Sequence, residues 1–128
     1  MDRVRVNEGE SEPVTFILRD TATSLPVPLA DIDSATLTLY DLETYDRDAS
    51  PVAGIINGRD GQDVLTDPTI VIHATSGLVT WTMQPDDNPV FTRRRQIERH
   101  RAVFHFDVGG LVENYQIEVE VVRILSQG

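Results

Sequence analysis

Two glycines near the end of the chain, Gly109 and Gly110, separate residues 99–108 from residues 111–125 and fix how those stretches face each other. Seated in a two-residue hairpin turn, they set Phe104 against Tyr115, Ala102 against Ile117 and His100 against Val119 on one side. On the other side Arg101 meets Glu118 and Arg99 meets Glu120. One register thus joins apolar residues on an inner face and opposite charges on an outer face. That is the pattern of a half-buried antiparallel sheet, in which a slip by one residue would exchange the two faces.

The rest of the chain carries the same period of two. Val14, Phe16 and Leu18 alternate with Thr15, Ile17 and Arg19, and Asp20 closes the run. Residues 21–28 form a turn-rich connection with two prolines. In residues 34–40, Ala35, Leu37 and Leu39 share one face, and Thr36, Thr38 and Tyr40 the other. Threonine suits a pleated, partly exposed surface. Order returns at residues 69–73, and a four-residue turn over residues 74–77 leads into residues 78–83, which pairs Ile72 with Val79 and Ile70 with Trp81. Trp81 is in phase with Val79 and Met83, which predicts core packing rather than a sugar-stacking platform. Pro85, Asp86 and Asp87 suit the first turn of a helix, and Pro89 stops it after about one turn.

Residues 41–68 are acidic and hold two prolines, three glycines and one short apolar patch, residues 52–56. Asn57-Gly58 is a hairpin signal, yet no alternating run follows it. This segment is read as a long excursion with one short strand. Loops of this length tend to be functional or mobile. The count is six to eight strands and almost no helix, without internal repeats. Strands without intervening helices predict an all-β antiparallel sandwich or barrel. Residues 1–13 are read as an N-terminal arm, and residues 14–128 as one domain, a size sufficient for an unaided core.

Composition narrows the function. The net charge is −10, which argues against a nucleic-acid partner, because such binding neutralises phosphates. There is no cysteine, hence no disulfide framework or thiolate metal site. No apolar run reaches the length of a membrane span, and the charged start, Met1-Asp2-Arg3-Val4-Arg5, lacks a signal-peptide core. Assembly in the cytosol of the producing cell is therefore expected, without a membrane partner. All 11 basic residues are arginine. Either codon bias or the planar fork of guanidinium, which suits protein contacts, accounts for that.

Catalytic signatures are missing. His100 and His105 lie five positions apart, on opposite faces of one strand, and His73 lies at a turn. His100 faces the core near Glu98 and needs a partner for its ring N–H. Asn57 to Asp63 resembles a calcium loop but lacks the closing glutamate and has Arg59 at its centre. No serine sits in a nucleophile elbow, and no phosphate-binding glycine loop is present. No enzyme activity, cofactor or metal is expected. Arg93, Arg94 and Arg95, with Arg99 and Arg101, put five basic residues within nine positions. The last two have Glu120 and Glu118 as proposed partners. The first three have none, and read either as solvated side chains or as a docking point for an acidic neighbour, including another copy of the chain. Arg3, Val4 and Arg5 are the other candidate partner contacts, because Val4 and Val6 alternate with Arg3 and Arg5, as in a strand added to an exposed sheet edge.

Val14-Thr-Phe-Ile-Leu, the Ala35-Thr-Leu-Thr-Leu run, the stretch from Ser76 to Asp87 and that from His100 to Gly110 together resemble the small immunoglobulin-like β-sandwich of tailed-bacteriophage virions. They are similar to the N-terminal domain of phage baseplate upper proteins. The resemblance spans about residues 14–124 and implies an immunoglobulin-like fold and a non-enzymatic structural role. In that role the domain attaches to another virion protein of the capsid shell, tail or baseplate. Baseplate upper proteins continue into a receptor-binding fibre, whereas this sequence stops at Gly128. That favours a decoration, accessory or connector module, located in the virion, with a homo-oligomer as a further arrangement. The alternative is a module that binds carbohydrate or calcium on a host surface.

Overall fold

The computed structural model describes residues 2–90 and 96–124. Among these residues eight strands follow in chain order: β1 (Asp2–Asn7), β2 (Glu12–Ile17), β3 (Ile32–Asp41), β4 (Gln62–Asp63), β5 (Ile70–Ile72), β6 (Leu78–Met83), β7 (Ile97–Val108) and β8 (Leu111–Val122). Single 3-10 turns occur at Leu29–Asp31 and Pro85–Asp87. The second has the expected proline start and is closed by reciprocal hydrogen bonds between Gln84 and Asp87.

The strands form two sheets, one ordered β1-β8-β7-β3-β4 and the other β2-β6-β5. This is a sandwich and not a barrel. β2, β6 and β5 take the places of strands B, E and D of the immunoglobulin fold, β3, β7 and β8 those of C, F and G, and β4 that of C′. The period-two pattern explains why the sheets stack. Ala35, Leu37, Leu39, Ala102, Phe104, Phe106, Ile117, Val119 and Val121 are buried from one sheet, and Val14, Phe16, Ile70, Val79, Trp81 and Met83 from the other. Each large side chain removed from water in this way contributes roughly 1.5–3 kcal/mol.

The terminal hairpin has the expected register. Phe104 lies opposite Tyr115, His100 opposite Val119 and Arg101 opposite Glu118, across a turn in which Gly109 and Gly110 both have positive φ. Ile70 opposes Trp81 and Ile72 opposes Val79, also as expected. Gly77, in the turn before β6, has φ +73°, and a Cβ there would stand 2.7 Å from the Leu18 carbonyl oxygen.

Two expectations need correction. Residues 2–7 are not an arm apart from the sandwich. They form β1, the edge strand of the chain's own larger sheet, with Val6 buried in the core. β1 runs parallel to β8, so the fold is not antiparallel throughout. The added-strand pattern in Arg3-Val4-Arg5-Val6 thus finds its sheet edge within the same molecule.

Residues 41–68 do carry one short strand, β4, but they also contribute to the core: Ile56 and Val64 are each 1 % exposed. Asn57 and Gly58 have positive φ and make the tight turn their sequence suggests. Both flanks of that turn bond to a single residue of β3, because Leu39 N–H donates to Arg59 O and Ile56 N–H donates to Leu39 O. Only the two-residue β4 follows, and between the turn and β4 Arg59 points its side chain inward. Its guanidinium, 3 % exposed, donates to both carboxylate oxygens of Asp87, to Asp67 at 2.8 Å and to Gln62, and lies over the Trp81 ring. Burial acts to raise the Asp67 carboxyl, but hydrogen bonds from Arg59 and Thr69 outweigh it and hold the group below the usual carboxylate range. The arginine that spoils the calcium-loop pattern therefore supplies the positive charge itself.

Candidate functional site

The outer face of the larger sheet carries the arrangement that points most directly to a partner. Side chains of alternate residues line up across strands, and the registers β1–β8 and β8–β7 place charges in two rows. One row runs Arg3, Glu118, Arg101 and then Tyr40 on β3. The other runs Arg5, Glu120, Arg99. Each glutamate lies between two arginines, and in each row it is the β1 arginine that closes the ion pair. Arg3 Nε stands 2.6 Å from Glu118, and Arg5 Nη2 stands 3.5 Å from Glu120. The arginines are exposed while Glu118 and Glu120 are largely covered, and solvent screening at the arginine end keeps each pair to about 0–1 kcal/mol, so their main effect is on register and on the local field.

Arg99 and Arg101 therefore do not hold the partners that the hairpin alone suggests. They stand opposite Glu120 and Glu118 along the backbone, but among the described residues neither guanidinium makes a hydrogen bond or ion pair. Arg101 is half-buried with its Nε out of contact with water, whereas Arg99 is exposed. Arg99 and Glu120, together with Leu42, Glu43 and Ile97, line a shallow cleft of about 400 Å³ on this face. Beside Arg101, Tyr40 stacks on Tyr45, and Arg47 covers Tyr45 while pairing with Asp60. Tyr45 is thus covered by both Tyr40 and Arg47. Chemically, guanidinium donors in fixed positions beside apolar and aromatic side chains can bind carboxylates.

The candidate residues divide as follows. Arg3 and Arg5 lie on the face, engaged in ion pairs, and Val4 points the other way, packed against the core. Arg93, Arg94 and Arg95 lie outside the described residues. Arg99 and Arg101 were hidden as candidates because the hairpin offers them glutamates. Only the competing strand β1 releases them, and its alternating Arg-Val-Arg-Val was the available signal.

The histidines are separated as their spacing requires. His105 is exposed, and His73 Nδ1 accepts backbone N–H bonds from Thr75 and Ser76 at its turn. Trp81 is fully buried, so it offers no platform to a sugar. Asp60, Asp63 and Asp67 do not converge: they meet Arg47, Thr66 and Arg59 respectively. His100 is buried with its Nε2 donating to Glu98 at 2.7 Å, so the residue that the sequence places near it supplies the partner its ring needs. The β3–β7 pairing adds a residue that the sequence did not place there: Asp41, directly opposite His100 in register. Its Oδ1 is 3.9 Å from His100 Nε2, and its Oδ2 accepts from Thr44 N–H and Oγ1–H. Asp41, Glu98 and His100 are the cluster of potential metal ligands found among the described residues.

No family model matches the chain, and no curated protein matches it.

Proposed function

We propose that this chain is a non-catalytic docking domain of a tailed-bacteriophage virion, and that it grips a neighbouring capsid or tail protein with the outer face of its larger sheet. The observation that supports the docking role is the pair of guanidiniums at Arg99 and Arg101, held on a β-strand with no acidic partner among the described residues. Leaving Arg101 Nε away from both water and an acceptor costs stability. That cost is recovered when a partner's carboxylate completes the row. The phage setting rests on the resemblance to virion immunoglobulin-like domains.

Electrostatics gives the contact its selectivity. The chain carries a net charge of −10, so acidic surfaces are repelled over most of it. The two charge rows, with four arginines against two glutamates, form a local exception. A carboxylate-bearing neighbour is steered to this face and away from the others.

The test is occupancy on assembled particles. Arg99→Ala and Arg101→Ala, singly and together, are expected to lower the amount of the chain retained on purified particles, and the loss should grow with salt as screening increases. Full retention of the double variant across the salt series defeats the reading. So does the chain's absence from particles altogether.

A further inference from the structure

We propose that Asp41, Glu98 and His100 bind one divalent transition-metal ion of the zinc class, at the end of the larger sheet's inner face. The three donors sit on two paired strands, β3 and β7, with Asp41 and His100 in direct register and Glu98 two residues before His100 on the same face. All three are buried, at 1 %, 2 % and 0 % exposure. Their candidate ligand atoms all lie within 4.8 Å of one another. The set is rigid, which favours a metal site over a chance gathering of surface acids.

A second observation points to a ligand. One oxygen of Asp41 is fully used, since Thr44 donates to Oδ2 twice. The other, Oδ1, is buried and accepts no hydrogen bond. It is aimed at His100 Nε2 across 3.9 Å, too far for a hydrogen bond. A buried carboxylate oxygen left in this state is costly, and a cation between it and the imidazole removes the cost.

Distances fit an ion of this size. Zinc holds nitrogen and carboxylate oxygen at about 2.0–2.2 Å, which puts tetrahedral ligand atoms about 3.4 Å apart. The gap of 3.9 Å between Asp41 and His100 lies above that value, and the 2.7 Å between Glu98 and His100 lies below it. Closing the first gap by about 0.5 Å and opening the second by about 0.7 Å seats the ion. Binding replaces the proton shared by His100 and Glu98. The Nε2–H bond breaks and its electron pair becomes the donor to the metal, while the ring keeps one proton at Nδ1: a neutral ring moves its proton there through solvent, and a charged ring, already protonated at Nδ1, gives the Nε2 proton to solvent. Two carboxylates and a neutral imidazole carry a charge of about −2, which a divalent ion balances, and water completes the fourth position. One imidazole among few ligands favours zinc, cobalt or nickel over calcium and magnesium, which prefer six or more oxygens.

The experiment uses the full chain, stripped with a chelator and titrated with zinc chloride by calorimetry, and with cobalt chloride by absorption spectroscopy. The expected result is one ion per chain and a higher melting temperature when loaded. Asp41→Asn preserves shape and is expected to weaken binding by about a hundredfold, at the top of the range for losing even an outer-shell partner. The double variant His73→Gln/His105→Gln is expected to bind as the parent does. Absence of stoichiometric uptake by the folded parent overturns the proposal. So does uptake unchanged in Asp41→Asn, or lost in the His73/His105 variant. These readouts need no virion partner, so they stand or fall separately from the docking role.

Discussion

Phe16 on β2 and Phe104 on β7 hold their rings 5.1 Å apart and tilted across the two sheets. They join the same pair of strands that a disulfide joins in antibody domains. This chain has no cysteine, and an aromatic cluster takes over the pinning. Phe106 and Trp81 flank Phe104, and Tyr115 stacks on Phe16 at 4.0 Å. Such a pin works by burial and ring geometry, so it holds equally in a reducing cell. Phe104→Ala is therefore expected to cost about 3–5 kcal/mol, read as a lower urea midpoint with unchanged slope. A loss below about 1 kcal/mol would mean that the cluster is not what holds the sheets together.

The buried guanidinium of Arg59 gives a second expectation. Replacing it by Met leaves Asp67 and Asp87 buried without their cation, at a cost of about 3–5 kcal/mol. Adding Asp87→Asn to that variant should restore part of the loss. The pH dependence has a definite sign. The folded-state pKa of Asp67 is depressed, so its stabilising effect is complete above the unfolded carboxyl value of about 4 and fades as pH falls through the lower folded value. The stability gap between the parent and Asp67→Asn should therefore be constant near neutrality and narrow below about pH 4. A gap that widens with acidity contradicts this assignment.

The two contrasting outcomes in the charged face show what sequence can and cannot reach. The register of β7 on β8 was legible because a two-glycine turn leaves a single alignment, and each side of that alignment is chemically consistent. Trp81 in the core followed from alternation alone, as did a core-facing His100 near Glu98 in need of a partner. By contrast, the meeting of Asp41 with His100 depends on the pairing of β3 with β7, two strands separated by more than fifty residues, and no turn sets their alignment. Arg59 looks in the sequence like a flaw in a ligand loop because its partners, Asp67 and Asp87, come from other segments. Long-range pairing also decided the fate of Arg99 and Arg101. Glu118 and Glu120 have neighbours on both sides, and only the position of β1 shows which arginine each one takes.

β1 supplies a third expectation. It covers one edge of β8, buries Val6 and neutralises two glutamates. Deleting residues 2–7 uncovers the edge of β8 over residues 117–122 and leaves its backbone groups unpaired, a template for pairing with another chain. The truncated protein should melt at a lower temperature and form dimers or larger species on size exclusion at concentrations where the parent elutes unchanged. A truncated chain with the parent's melting temperature and elution would show that residues 2–7 act as a free arm after all.

Tyr115 and Asp2 offer a probe of the same edge that leaves the backbone intact. The Tyr115 hydroxyl donates to the Asp2 carboxylate, and the ring lies flat on Phe16. Partial burial first, and then the hydrogen bond to the carboxylate, raise the phenol to about 12. Phenols in an unfolded chain ionise near 10. Since the folded state keeps its proton longer, the contribution of Tyr115 to stability is complete below about pH 10 and is lost as pH rises through about 12. Among the three tyrosines, the phenolate absorbance should show a late-ionising group, and Asp2→Asn should bring it down toward the ordinary range. Three coincident ionisations in the parent, with the fold intact by circular dichroism, would mean that the β1 edge does not hold Asp2 against Tyr115.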